Sequence, residues 1–287
     1  MSKTGWGRFA LLGFLWGIPY LFLKVAVEEI SPEVIVFFRV FIGALICLPI
    51  ALSRSRLRVA KKYWPFLVLY SITEMIGPWY LITHAEKEIS SGLTGLLVAT
   101  VPIWSAILAS IFGDHTVWHK TRLLGLIIGF IGVVAVVGIE SFGGKQDIVS
   151  IGMVILAAVG YAYAINMINR RIPHIPGIAI NTWAMIITSV VYLPFAIITW
   201  PATTPSVQAI GSVISLGVLC TAIAFIVFFK LVAEVGPPRA SLITYLNTAV
   251  AVLLGVLLLS EPITLGIALG LPLVLVGSYF ASRKVTP

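Results

Sequence analysis

Glu74 stands near the middle of an apolar run of helix length, the one carboxylate in the sequence at such depth. A carboxylate far from water is costly as a bare charge, so it must find a proton, a cation or a hydrated channel. Glu74 can therefore carry a proton or meet the ammonium group of a ligand. A structural pair with Lys24 or Arg39, or a water-filled pore, would satisfy it as well. Lys24 and Arg39 pose the converse problem, since each lies inside an apolar run of its own. An intramembrane cation costs roughly 2.5–3.5 kcal/mol on insertion scales and usually pairs or serves a pathway.

Around these charges the sequence places rings and a few polar side chains. Trp16, Tyr20, Trp79, Tyr80, Trp104, Tyr161, Tyr163, Phe225, Phe228 and Tyr245 fall within apolar runs, several beside the breaks Trp16-Gly17-Ile18-Pro19-Tyr20 and Pro78-Trp79-Tyr80. Rings scattered on lipid-facing helices can be mere filler. Gathered on a shared cavity, they suit apolar or aromatic substrates and can hold an ammonium over a ring face. Thr100, Asn166 and Asn247 are polar groups in mid-run, Asn247 on one face with Thr244 and Thr248. Each must hydrogen-bond either to a neighbouring helix or to a polar ligand. The substrate-binding candidates are thus Trp16, Tyr20, Glu74, Trp79, Tyr80, Thr100, Tyr161, Tyr163, Asn166, Phe225, Tyr245 and Asn247.

The elements that carry them follow from composition. The chain is 59% apolar and 10% charged, against about 25% charged in a soluble globule, so its surface must face lipid. Apolar runs fall at about 7–27, 33–52, 63–84, 92–112, 121–139, 149–169, 178–200, 208–231, 239–259 and 264–282. Strands would be shorter and alternating, and only helices or closed barrels satisfy the backbone in hydrocarbon. The expected fold is an all-α polytopic membrane protein of ten transmembrane helices. The first run is expected to remain as a span, because the chain passes into Glu28-Glu29 without a small-residue cleavage site.

Fifteen of the nineteen cations fall in the segments that are inside if the N-terminus is inside, among them Arg54, Arg56, Arg58, Lys61, Lys62, Arg170 and Arg171. The positive-inside rule then sets both termini in the cytoplasm. The formal charge of +8 therefore marks topology, and nucleic acid is not an expected partner. Trp6, Trp64, Trp118 and Trp200 at run ends read as interfacial anchors, whereas Trp16, Trp79, Trp104 and Trp183 lie deeper.

A faint internal repeat accompanies this pattern. Gly125 and Gly132 match Gly270 and Gly277 at an offset of 145, as Trp16-Gly17 matches Tyr161-Ala162, and Asp114 matches Glu261 at 147. The expected halves are 1–145 and 146–287. Five helices in each is an odd number, so the second half must lie inverted in the membrane, which is a transporter arrangement. Gly92, Gly95, Ala99, Ala106 and Ala109 form a small-residue stripe, with Ala251 and Gly255 in its counterpart, and such spacing lets backbones approach closely. Gly125-x3-Gly129 and Gly266-x3-Gly270 could pack helices within the chain or between two copies.

Several chemistries lack their residues. No G-x-x-x-x-G-K-[ST] is present, the Gly143-Gly144-Lys145 turn having neither the spacing nor the hydroxyl, so ATP drive is unsupported. No H-E-x-x-H and no pair of mid-span aspartates occurs. His84, His115, His119 and His174 lie at run ends, and Cys47 and Cys220 read as small packing residues. No enzyme activity, cofactor or metal is expected; the partners are a small-molecule substrate and the lipid bilayer.

Leu15-Trp16-Gly17, Lys24, Ser31-Pro32, Phe38-Arg39, Val101-Pro102 and Ser260-Glu261-Pro262 with Gly266 and Gly270 resemble EamA-type members of the drug/metabolite transporter superfamily. The resemblance covers nearly the whole chain and is greatest to bacterial exporters of aromatic and other amino acids. It implies two inverted five-helix repeats, a central cavity lined by helices one, three, four, six, eight and nine, and alternating access in a bacterial inner membrane. In that reading Trp16, Trp79, Tyr80, Tyr161, Tyr163 and Tyr245 shape the cavity, and Thr100, Asn166 and Asn247 hydrogen-bond the substrate. Efflux of drugs or other small metabolites is the alternative. The chain departs from the pattern in having Asp114 for the usual Glu, and no counterpart of Pro102 near Thr248-Ala249. It also has Lys24 instead of the first-helix glutamate of small multidrug members.

Overall fold

Proline and glycine set where the long apolar helices break. The computed structural model describes residues 2–53, 57–113, 119–142, 147–235, 240 and 243–282, with the backbone alone at 136–142, 235 and 281–282. The first span is α1 (Lys3–Gly17) and α2 (Pro19–Ala26), broken at Ile18 because Pro19 has no N–H to return. After α3 (Pro32–Ser53) come α4 (Trp64–Tyr70), a π-helical turn (Ser71–Ile76) and α5 (Gly77–Ala85), with Pro78 in the first turn of α5. The next span is α6 (Ser91–Val98) and α7 (Val101–Ile111), parted where Pro102 cannot donate. The chain continues with α8 (Lys120–Phe142), α9 (Ile148–Arg171) and α10 (Gly177–Ile198). Next are α11 (Val207–Gly217), a second π-helical turn (Val218–Ile223) and α12 (Ala224–Val235). Helices α13 (Ile243–Leu258) and α14 (Leu265–Ser282) follow.

The molecule is thus helical, with no strand among the described residues. Among the described residues seven continuous or broken helices, Lys3–Ala26 through Ser91–Ile111 and Ile148–Arg171 through Val207–Glu234, are long and apolar enough to cross a membrane, and α13 and α14 are shorter apolar helices. The fold is that of a polytopic membrane protein. At α13 the expected run begins in residues outside those described, as do Arg54, Arg56, Asp114, His115, Trp118, the Gly143-Gly144-Lys145 turn, Arg283 and Lys284.

Close helix crossings use glycine where a side chain has no room. A Cβ on Gly277 of α14 would lie 2.2 Å from the Gly129 nitrogen of α8, so these two helices touch backbone to backbone within one chain. The small-residue stripe meets its counterpart as well, since a Cβ on Gly95 would lie 2.7 Å from Ala251. The Ala99 carbonyl freed at the α6–α7 break accepts from Ser278 Oγ of α14 at 2.9 Å, which satisfies a buried acceptor that the helix no longer serves.

One loop carboxylate locks the same face. The chain turns at Ser260 with φ 54°, and Glu261 reaches the start of α6. There it accepts from Ser91 N at 2.8 Å, Ser91 Oγ at 3.0 Å and Gly92 N at 3.1 Å. An anion on otherwise orphaned helix N–H groups is favourable both as hydrogen-bond acceptor and against the helix dipole. Glu261→Gln is expected to destabilise the folded protein by about 1–3 kcal/mol, read as a lower midpoint of thermal unfolding in detergent.

Candidate functional site

Both π-helical turns carry polar residues into the centre of the bundle. A π turn widens the helix and re-aims side chains, and such turns occur often at functional sites. The first holds Glu74 and the second holds Thr221. The backbone of α9 comes close to the first turn at Gly160, where a Cβ would lie 2.8 Å from the Thr73 carbonyl oxygen. Tyr192 Oη of α10 donates to the Ile76 carbonyl at 2.8 Å, and Tyr70 Oη donates to Asn181 Oδ1 at 3.2 Å.

Arg39 of α3 lies between the two turns and is 9% exposed. Its Nε donates to Thr221 Oγ1 at 3.1 Å, and its guanidinium carbon sits 3.8 Å from the centre of the Trp79 ring. Stacking on an indole and bonding a hydroxyl stabilise a buried guanidinium in part; neither supplies a negative charge. Among the described residues the ion pair recorded is Arg8 with Glu234, 2.8 Å apart. Neither Arg39 nor Glu74 has an ionic partner there. One carboxylate oxygen of Glu74, Oε2, is buried without a hydrogen-bond partner. The Tyr161 hydroxyl lies within electrostatic reach of Glu74, Tyr20 and Arg39 together. The centre therefore holds a guanidinium and a carboxyl group, neither with an ionic partner among the described residues.

This corrects the pairing that the sequence allowed for Glu74. Lys24 Nζ instead donates to the backbone carbonyls of Glu86 at 2.7 Å and Ile89 at 3.0 Å. It clamps the turn after α5, and Arg39 is engaged as above.

The rings expected at the site fall into groups. Trp79 and Phe225 belong to one contiguous core, against which Trp16, Tyr80, Tyr161 and Tyr163 also pack. Trp16 meets Phe225 edge-on at 5.7 Å and Phe228 at 4.9 Å. Tyr20 belongs to the adjoining core, which Tyr161 also touches. Tyr80 faces away, towards Tyr192 and His84. Tyr163 lines a cavity of about 100 Å³ at the far end of α9 with Phe112, Met167, Arg170 and Arg171. Tyr20, Trp79 and Phe225 are buried, so the rings fill the centre.

The polar candidates lie elsewhere. Asn166 Nδ2 donates to Ser105 Oγ at 2.8 Å and to the Ala162 carbonyl at 2.9 Å, tying α9 to α7. Thr100 Oγ1 donates to the Leu97 carbonyl at 2.6 Å and accepts from Trp104 Nε1 at 3.1 Å. Asn247 Oδ1 accepts from Thr248 Oγ1 at 3.3 Å, and Tyr245 packs edge-on against Tyr279. Trp183 is not deep. Its Nε1 donates to the Leu57 carbonyl at 3.0 Å and its ring meets Trp64, so it anchors a loop.

Arg39, Thr221 and Tyr70 belong to the centre and were not among the residues expected there. The signal for Thr221 lay in the repeat: it follows Glu74 by 147 positions, the offset of Asp114 from Glu261.

A multi-pass helical membrane protein with a buried, polar, ring-lined centre is the class these features define. The chain belongs to the EamA-like transporter family, whose family model matches residues 5–138 and again residues 148–283. It is 27% identical over 280 residues to "Uncharacterized transporter YoaV" of Bacillus subtilis strain 168, covering 94% of this chain and 96% of the relative. It is 24% identical over 254 residues to "Uncharacterized inner membrane transporter YedA" of Escherichia coli K12, covering 87% of this chain and 81% of the relative. A solved structure titled "Crystal structure of protein" shares the fold at a TM-score of 0.69 and 19% identity, covering 98% of this chain and 97% of that one.

Proposed function

We propose that the protein exports amino acids, aromatic ones among them, across a bacterial inner membrane by alternating access. The carrying observation is a central guanidinium and a central carboxyl group, Arg39 and Glu74, neither with an ionic partner among the described residues. Arg39 would take a carboxylate in bidentate fashion, which suits a planar guanidinium. Glu74 would take the ammonium, and Trp79, Tyr161 and Tyr20 would cover the side chain. A zwitterion neutralises both groups at once, whereas a lipophilic cation leaves Arg39 uncompensated. That difference favours amino acids over the second reading, efflux of drugs or other metabolites, which the aromatic lining and Glu74 alone would also suit.

The cycle we propose uses ten spans arranged as two inverted five-helix halves, 1–145 and 146–287, with both termini cytoplasmic. Three observations support it. The π turns at 71–76 and 218–223 fall in the third and eighth spans, 147 residues apart. Helix packing is reciprocal: α5 lies on α9 as α12 lies on α1, α7 on α9 as α13 on α1, and α8 runs along α14. The family pattern occurs twice, once in each half. Exchanging the conformations of such halves turns a cavity open to one side into one open to the other. Loading proteoliposomes with unlabelled phenylalanine or tryptophan should drive counterflow uptake of the radiolabelled amino acid. Uptake no greater than in empty vesicles would end this reading, and uptake blocked by lipophilic cations alone would favour the second.

A further inference from the structure

A second polar cluster lies away from the central site, at the turn between α5 and α6. Glu86 is fully buried, at 0% exposure, and both of its carboxylate oxygens lack a hydrogen-bond partner. The groups around it explain why. Lys24 of α2 supplies the one cation, and it donates to the Glu86 and Ile89 backbone carbonyls rather than to the carboxylate. Glu261, from the loop after α13, is a second carboxylate within electrostatic reach of Glu86 and is itself satisfied by three donors at the start of α6. The cluster thus holds one cation and two carboxylates, and only Glu261 is provided for.

Among the described residues no donor is bonded to either carboxylate oxygen of Glu86. Thr94 of α6 faces it, but the single hydroxyl proton of Thr94 is given to the Ser90 carbonyl at 3.0 Å. Towards Glu86 that hydroxyl can only accept. Tyr20 of α2 stands within electrostatic reach. Lys87 and Glu88, on the same turn, are exposed to the outside of the cluster. An ionised carboxylate here would be buried, surplus in charge and without a donor, which is strongly unfavourable. A protonated one would donate to Thr94 and leave the cluster neutral.

We propose that Glu86 is a proton-binding site that latches this end of the transporter: protonated while α6 is docked on the 86–90 turn, ionised when the end opens. On opening, water reaches the carboxyl, its O–H proton passes to that water, and Lys24 is released from the two carbonyls to face the carboxylate. In the closed state burial, with Glu261 adding to it, pushes the Glu86 carboxyl well above the usual carboxylate range, against the opposing pull of Lys24. Closure therefore takes up a proton, and high pH on that side favours opening. In the topology proposed above that side is the outside, but the proton site does not depend on which substrate is carried.

The test is infrared spectroscopy of the purified full-length protein in an E74Q background, where Glu86 is the remaining buried carboxyl of this kind among the described residues. At neutral pH the carbonyl stretch of a protonated carboxylic acid is expected, and it should be lost in E74Q/E86Q. Identical spectra would overturn the proposal. A second measurement reads the latch, with Cys47 and Cys220 changed to alanine and a cysteine introduced by I89C, a position 1% exposed in the closed state. Labelling with a membrane-impermeant maleimide should rise more steeply with pH when Glu86 is present than in E86Q. Parallel pH profiles would contradict the coupling. Neither measurement needs a transported substrate, so failure of the amino-acid reading would be seen separately, in counterflow.

Discussion

Arg39→Gln is expected to weaken binding of a zwitterionic amino acid by about 10- to 100-fold while leaving the protein folded. Hydrogen bonds to a charged group contribute about 1.5–3 kcal/mol, and each 1.4 kcal/mol is a factor of ten. The fold should survive because Arg39 holds no carboxylate in place; it touches Thr221 and the Trp79 ring. Removing an uncompensated intramembrane charge relieves a cost of roughly 2.5–3.5 kcal/mol on insertion scales, so thermal stability should hold or rise. Arg39→Lys should bind weakly too, because an ammonium neither stacks on the indole nor grips a carboxylate with two parallel bonds. Equal affinity in the glutamine variant and the wild type would remove Arg39 from the site.

The largest stability effect is expected at the α8–α14 crossing. Gly277→Leu places a side chain where even a Cβ would lie 2.2 Å from the Gly129 nitrogen and 2.7 Å from the Gly125 carbonyl oxygen. Both obstacles are backbone, so the helices must separate. Overpacking commonly costs about 1–3 kcal/mol and occasionally more, and backbone against backbone leaves no flexible atom to yield. Gly277→Leu should therefore unfold at a clearly lower temperature in detergent, with Gly277→Ala intermediate. Gly152 and Gly211 serve as controls, since no atom lies within 4 Å of a Cβ built on either, and alanine there should be neutral or mildly stabilising. An unchanged midpoint for Gly277→Leu would mean that α8 and α14 are not packed this closely.

Much of this arrangement was legible in the residues themselves. The span boundaries followed from apolar length, because hydrocarbon leaves the backbone few alternatives. The break at Ile18 followed from Pro19. Glu74 stood out because a carboxylate at that depth needs a reason. What was not legible depended on geometry that spacing does not encode. Arg39 looked like an ionic partner for Glu74, and only three dimensions set it against Trp79 with Thr221 across from it. The π turns left no mark in the apolar period, since one extra residue in a uniformly apolar helix moves no polar stripe. Trp183 groups with the deep tryptophans in the sequence, yet it stands in the second turn of α10, which begins at Gly177, and its ring lies at the loop of Leu57. Asn166 and Thr100 could equally serve a ligand or a neighbour, and their hydrogens turn out to be given to Ser105, Ala162 and Leu97.

The proposed function requires a centre that reads both ends of a zwitterion, and direct binding to the purified protein tests it. The comparison sets phenylalanine beside two of its relatives, the amine lacking the carboxylate and the acid lacking the amino group. The prediction is saturable binding of phenylalanine, with each single-charge relative weaker by about tenfold or more. Arg39→Gln should erase the disadvantage of the amine, and Glu74→Gln that of the acid. Binding of the amine as tight as that of phenylalanine, unaffected by Arg39→Gln, would contradict it.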